Sequence, residues 1–295
     1  MDLSPSAVKH ATAWGALCGA GAAVCWAVGF VSARHGVVVG LSPLVIALHR
    51  FLWAGIAFLP FVASGGFGDL GGVGWGRGIA LMILGALPFS ILSYSGFLLV
   101  PLGHGGVIQP SVVAVAGLLL SWLALKEALP LRRIVGALVI CVGLGVIGAE
   151  GLRTMGAHGV FGDLIFVVTG ASFAVFGTLL RQWQIPPIQA VAVTSVLSLF
   201  GLVLVPFVFD NVLAAGLREN LVQAVAQGLI AGPGATFLFA GAVTLLGAGR
   251  AVLFISLVPA LTLLIGYLTL GEVPSLSQLV GLVIVVIGFQ LTQKN

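Results

Sequence analysis

Ten apolar runs of about twenty residues, parted by short segments rich in Gly, Pro and charge, constrain this chain more than any other feature. They cover 14–34, 43–63, 77–99, 103–125, 131–149, 160–181, 187–209, 219–245, 249–270 and 276–293. An α-helix rises about 1.5 Å per residue, so crossing ~30 Å of hydrocarbon takes about 20 apolar residues. Only 7% of the 295 residues are charged, against about 25% in a soluble domain. A chain this poor in charge cannot cover a surface facing water, so lipid is its solvent. The sequence predicts an all-α polytopic membrane protein of ten transmembrane helices. The first run is too long for the apolar region of a signal peptide and is read as a spanning helix. Cys18, Cys25 and Cys141 lie inside apolar runs without metal-ligand spacing and are read as packing residues.

The runs fall into two sets of five. A shift of 145 residues lays Ala86–Gly143 over Ala231–Gly288 without a gap, with fifteen identities. Pro88 meets Pro233, Gly96 meets Gly241, Ser111 meets Ser256, and Glu127 meets Glu272. Gly136 meets Gly281 and Gly143 meets Gly288. Further upstream the offset drifts to 147, where Trp26 meets Phe173. Chance matches of Leu and Val are cheap in such a composition, but Pro, Glu and Gly in register are not. The chain is therefore read as a duplicated unit, 14–149 and 160–293. A five-helix unit enters on one side and leaves on the other. Its copy must run upside down, with a pseudo-two-fold axis in the membrane plane.

Basic residues give the orientation. With the N-terminus inside, Lys9, Arg77, Lys126, Arg132, Arg133, Arg181, Arg250 and Lys294 face the cytoplasm, and Arg34, Arg153 and Arg218 face outward. Both termini are expected in the cytoplasm. The net charge of +4 thus reports topology, and with no basic stripe it excludes a nucleic-acid partner.

An inverted pair of repeats suits alternating access, with substrate bound near mid-membrane where the halves meet. Interrupted helices point to that place, because a break frees backbone groups that must face protein, water or ligand. Pro88 and Pro233 interrupt equivalent helices, and Pro110 and Pro259 interrupt the next pair. These four are the hinge candidates. Each alone is more simply a packing proline. The symmetric set favours bending.

Polar and aromatic residues in or facing these helices are candidates for lining a cavity: Trp26, Tyr94, Gln109, Ser111, Phe173, Phe237 and Ser256. His49, Arg50 and His104 are possible charged or titrating groups. Arg50 either snorkels outward, or faces the cavity or pairs with an outer carboxylate. The acids all read as loop or helix-end residues, which speaks against a proton-coupled carrier built on an embedded carboxylate. Glu127 and Glu272 precede the fifth and tenth helices, where each is expected to stabilise the positive end of the helix it precedes. No phosphate-binding loop, metal motif or nucleophile elbow is present. No cofactor or metal is expected. An integral-membrane enzyme lacks visible machinery, and a channel stays open as the other class.

Taken together, "LHRFLWAG" in the second helix, the pattern Pro259, Gly271, Glu272, Pro274, and the duplicated plan resemble the EamA type of the drug/metabolite transporter superfamily. In the first half Lys126 replaces the glycine of that pattern, and Ala114 stands where Pro259 does. Within that family the chain is most similar to YddG-type amino-acid exporters. The resemblance implies secondary export of a small metabolite across an inner membrane. The sugar-phosphate branch of the superfamily uses paired inward basic residues, which this interior lacks, so an uncharged or zwitterionic substrate fits. Amino acids come first, and amphipathic drugs or other metabolites second. The small molecule and the lipid bilayer are the only partners expected, with no obligate protein partner.

Overall fold

The computed structural model describes residues 5–293, with the side chains of 5–11, 248, 249 and 252 excepted. Lys294 and the Lys9 side chain, both used for orientation, lie outside what is described. Among the described residues the fold is wholly helical. Eight helical stretches are long and apolar enough to cross a membrane. The chain is a multi-pass membrane protein.

Helix α1 spans Pro5–Val38 and α2 Pro43–Ser64. Ser42 caps α2 by accepting the N–H of Val45 at 3.3 Å, and Pro43 supplies the first-turn φ. The third apolar run is broken. Helix α3 covers Trp75–Gly85, Ala86 leaves helical geometry (φ −123°, ψ −128°), and α4 resumes at Leu87–Gly96 with Pro88 in its first turn. Helix α5, Leu102–Leu125, runs unbroken through Pro110 and ends at Lys126 in the left-handed region (φ 54°).

The fifth and sixth runs are two helical legs, together labelled α6, Leu131–Gln182, that meet at Gly156 (φ 59°, ψ −137°), a conformation open to glycine, with no longer loop between them. A Cβ on Gly159 would lie 2.5 Å from the Gly151 carbonyl. In a straight helix those residues stand about 12 Å apart along the axis. The two legs therefore fold back on each other. Gly216 (φ 75°, ψ 168°) plays the same part within α8, Phe209–Gln223, where Asn220 Nδ2 donates to Val212 O at 2.7 Å.

The second half is less regularly wound. Helix α7, Pro187–Leu197, passes into a 3₁₀ stretch, Ser198–Val208, that contains Pro206. A π-helical stretch, Ala224–Gly234, holds Pro233 and leads into α9, Ala235–Leu246. After the short α10, Ala248–Ala251, a second 3₁₀ stretch, Val252–Leu257, feeds α11, Val258–Leu270, with Pro259 in its first turn. Gly271 closes α11 in the left-handed region (φ 67°), at the repeat equivalent of Lys126. Helix α12 is Leu276–Gln293.

Helix α12 packs on the first leg of α6 through glycine. A Cβ on Gly136 would lie 2.8 Å from Gly288 O, and one on Gly143 would lie 2.8 Å from Gly281 O. The two helices cross antiparallel with their backbones nearly touching. The partners are themselves repeat equivalents, exchanged: 136 matches 281 but touches 288, and 143 matches 288 but touches 281.

Candidate functional site

A cavity of about 180 Å³ lies among α1, α2, α4, α5 and the second leg of α6, with Ile255 and Val258 also on its wall. Trp26, Tyr94, Gln109 and Phe173 line it, and so do Arg50 and Pro110. The walls are largely aromatic, with Phe30 and Phe89 added to those already named. Ser90, Ser93 and Gln109 supply hydrogen-bonding oxygens.

Arg50 is held from three sides. Its Nη1 donates to Gln227 Oε1 at 3.0 Å and to Tyr94 Oη at 3.4 Å, and its Nη2 donates to Ala231 O at 3.2 Å. Tyr94 also donates to Gln227 Oε1, at 3.0 Å. Gln227 is fully buried and anchored to α1 by Nε2 bonds to Gly29 O at 2.8 Å and Ser32 Oγ at 2.9 Å. The oxygen of Gln227 thus fixes both the guanidinium and the phenol, and three of the five guanidinium donors are used. No Asp or Glu among the described residues lies within 4.0 Å of Arg50. The cavity wall carries a positioned cation without a protein counter-ion. Arg50 lies on the cavity wall, bonded to Tyr94, Gln227 and Ala231.

The other candidates sit elsewhere. Ser111 is fully buried and donates to Val107 O at 2.6 Å. Ser256 donates to Leu253 O at 2.6 Å. Both hydroxyls are satisfied within their own helix. Phe237 is half exposed and stacks on Phe58 at 6.0 Å between centroids. His49 stands behind the wall: its Nδ1 accepts from Trp53 Nε1 at 3.2 Å, so Nε2 donates to Asn220 Oδ1 at 2.9 Å. Pro88, Pro233 and Pro259 mark breaks or changes of winding, whereas Pro110 marks no break. Gln227 was missed by sequence reasoning. Its signal is present all the same, since Gln223 and Gln227 are four apart in an apolar stretch and both are fully buried.

Two ion pairs join the halves. Arg34 Nε lies 2.6 Å from Glu272 Oε1, with Nη1 donating to Phe97 O at 2.7 Å. Arg181 pairs with Glu127 and donates to Ser121 Oγ at 3.0 Å. Arg34 and Arg181 are repeat equivalents at the 147 offset, as Glu272 and Glu127 are at 145. This corrects the expected role of the two acids. Glu272 does cap a helix, accepting the N–H of Leu102 at 3.0 Å, but that helix is α5 and not the one after it. Glu127 turns to Arg181, because a guanidinium in reach is the stronger partner. The Arg34–Glu272 pair, on the side expected to face outward, borders a second opening of about 400 Å³, lined by Arg34, Gly103, Glu150, Leu263, Glu272 and Gln278 among others.

His104 and Asp163 correct the sequence reading further. Asp163 is no helix-end acid. It is 8% exposed inside the second leg of α6, with Oδ1 2.7 Å from Nδ1 of the fully buried His104.

These features define a multi-pass helical membrane protein with a partly open cavity lined by aromatic and polar residues. The sequence profile of the EamA-like transporter family matches residues 13–149 and again 160–292. The chain belongs to that family, whose members are transporters of the drug/metabolite type. No curated protein matches the sequence. Among matching solved chains, one, described only as a crystal structure of a protein, superimposes with a TM-score of 0.60. It is 17% identical over 95% of this chain and 97% of that one, a likeness of fold.

Proposed function

We propose that the chain is a secondary carrier that exports small zwitterionic metabolites, amino acids with aromatic or aliphatic side chains foremost, by alternating access. The observation that carries this reading is Arg50, a fixed cation without a counter-ion on the wall of a small aromatic cavity. An arginine fork matches a carboxylate in shape and charge. Phe30, Phe89 and Phe173 suit an apolar side chain. At about 180 Å³ the cavity is smaller than the roughly 300–1,000 Å³ typical of drug-sized pockets, which favours metabolites over amphipathic drugs.

Alternating access rests on two inverted five-helix halves, 14–149 and 160–293, and hence ten crossings. Three observations support them: the reversals at Gly156 and Gly216, the exchanged glycine contacts, and the exchanged ion pairs. The basic residues favour cytoplasmic termini in an inner membrane. On this reading the chain works in the bilayer with its substrate alone, without an obligate protein partner or cofactor.

The test is counterflow in proteoliposomes loaded with unlabelled amino acids and given labelled L-phenylalanine outside. A carrier shows transient uptake that competitors abolish, with no product. Absence of counterflow across an amino-acid panel would remove the substrate assignment.

A further inference from the structure

His104 and Asp163 are the one buried His–carboxylate pair among the described residues, and the substrate cavity does not use them. His104 is fully enclosed and its Nδ1 lies 2.7 Å from Asp163 Oδ1. With Nδ1–H donating to the carboxylate, Nε2 carries the lone pair. That atom is buried and without a partner, and so is Asp163 Oδ2. An ionisable pair inside a membrane protein is costly as a mere brace, since apolar side chains pack as well.

Its surroundings set the pair against bare backbone and near an opening. Gly151 packs directly on it, for a Cβ there would lie 2.9 Å from Asp163 Oδ2 and 3.1 Å from His104 Cε1, too close to fit unless the pair moved. The preceding residue, Glu150, lines the outer opening and has a buried, unpartnered carboxylate oxygen. The charged groups around the pair are few. Glu150 comes from the first leg of α6, and Arg34 and Glu272 stand across the opening as an ion pair. From α12 comes only the neutral Gln278, and Arg153 and His158 at the reversal are exposed.

The pair also has no counterpart. Its repeat equivalents are Gly249 and Ala16, which do not titrate. The ion pairs at Glu127 and Glu272 are duplicated. This one is not, as expected of a device that gives transport a direction.

We propose that His104 and Asp163 form a proton-binding site, filled from the outer opening past Glu150, through which the carrier exchanges a proton for its substrate. An incoming proton adds to Nε2 and makes an imidazolium against the Asp163 carboxylate. It leaves on the cytoplasmic side after the carrier turns over, one proton in for each substrate out. The link to the cavity is short. The same two elements are tied again by Gln109 Nε2 donating to Thr169 Oγ1 at 3.0 Å, and Gln109 lines the cavity. Five residues of α5, about 7.5 Å along the axis, separate the two ties, so a change at the first is felt at the second.

This inference rests on the carrier reading, and two measurements on the full chain keep them apart. The first needs no substrate: ¹⁵N-histidine NMR in nanodiscs, with the His104 signal assigned by His104→Asn. It should pass reversibly between neutral and protonated forms as the pH is lowered. A His104 that keeps one protonation state throughout overturns the proposal. The second uses proteoliposomes and labelled L-phenylalanine. An opposing gradient of one pH unit should drive accumulation of up to about tenfold in the wild type. It should drive none in Asp163→Asn or His104→Asn, while both still show counterflow. Glu150→Gln should slow the gradient-driven phase, and it serves if the buried variants do not fold. Wild-type counterflow with no response to the gradient would make the protein a uniporter and overturn the site while leaving the carrier. Variants that respond like the wild type would reduce the pair to a structural brace.

Discussion

Lys126 holds a left-handed backbone at the end of α5, where its repeat equivalent is Gly271. A side chain in that region costs roughly 1–2 kcal/mol, because Cβ crowds the following carbonyl. Lys126 is exposed, so little else depends on it. Lys126→Gly should therefore raise stability by about 1 kcal/mol, read as a higher unfolding temperature in detergent with transport unchanged. Arg50 predicts the opposite pattern. Arg50→Gln keeps length and polarity but loses the charge. A charge-assisted hydrogen bond contributes about 1.5–3 kcal/mol, so apparent affinity should fall roughly 10- to 150-fold. Substrate-binding calorimetry checks this, and Ser111→Ala is the control that should leave affinity alone. The sequence marks Arg50, Tyr94, Gln109, Trp26 and Phe173 because polar or aromatic groups stand out against an apolar helix. It does not mark which serines matter. The hydroxyls of Ser111 and Ser256 return to carbonyls three or four residues back, a choice made by rotamer and invisible in spacing. Asp163 is misread for a related reason: four residues into an apolar run it looks terminal, and only the reversal at Gly156 wraps it in protein.

Among the elements, the ion pairs differ in setting although they are repeat equivalents. The side chains of Arg34 and Glu272 are 20% and 26% exposed, and those of Arg181 and Glu127 are 54% and 38% exposed. Glu272 also holds the Leu102 amide and Arg34 the Phe97 carbonyl. Exposed pairs contribute roughly 0–1 kcal/mol, so Glu127→Gln should change the unfolding temperature little. Glu272→Gln should lower it clearly, since the α5 terminus loses its capping charge as well. Equal effects would mean that the extra bonds to Glu272 and Arg34 add nothing. The prolines divide in the same way. Pro110 sits in a continuous helix and faces the cavity, whereas Pro259 follows a 3₁₀ stretch. Pro259→Ala should slow turnover with affinity intact, because easing a hinge acts on the conformational step. Pro110→Ala should alter affinity first. Initial rates and binding constants for both variants decide it. Helix positions were legible because lipid demands unbroken apolar runs. The form of the join between the fifth and sixth runs was not, because Arg153, Thr154 and His158 beside Gly156 read as a loop, whereas the backbone stays helical up to a single glycine at φ 59°.

For the whole molecule, the proposed orientation, with both ends of the chain in the cytoplasm, rests on the bias of the basic residues. A cysteine added after Asn295 should react with an impermeant maleimide only in inverted vesicles, and labelling of intact cells would reverse the orientation of both halves. The crossing of α6 and α12 carries a different consequence. Because Gly136 meets Gly288 while Gly143 meets Gly281, each half presents the same surface that it receives. One half alone already holds both sides of its own interface. Synthesised by itself, it has a ready mate in a second copy of itself inserted the other way up. Whether that mate ever appears is then a matter of insertion, not of fit. The first half, with Arg77, Lys126, Arg132 and Arg133 on one side and Arg34 on the other, is pinned to a single orientation. The second, with Arg181, Arg250 and Lys294 against Arg218, carries a smaller bias and is the one more easily turned over.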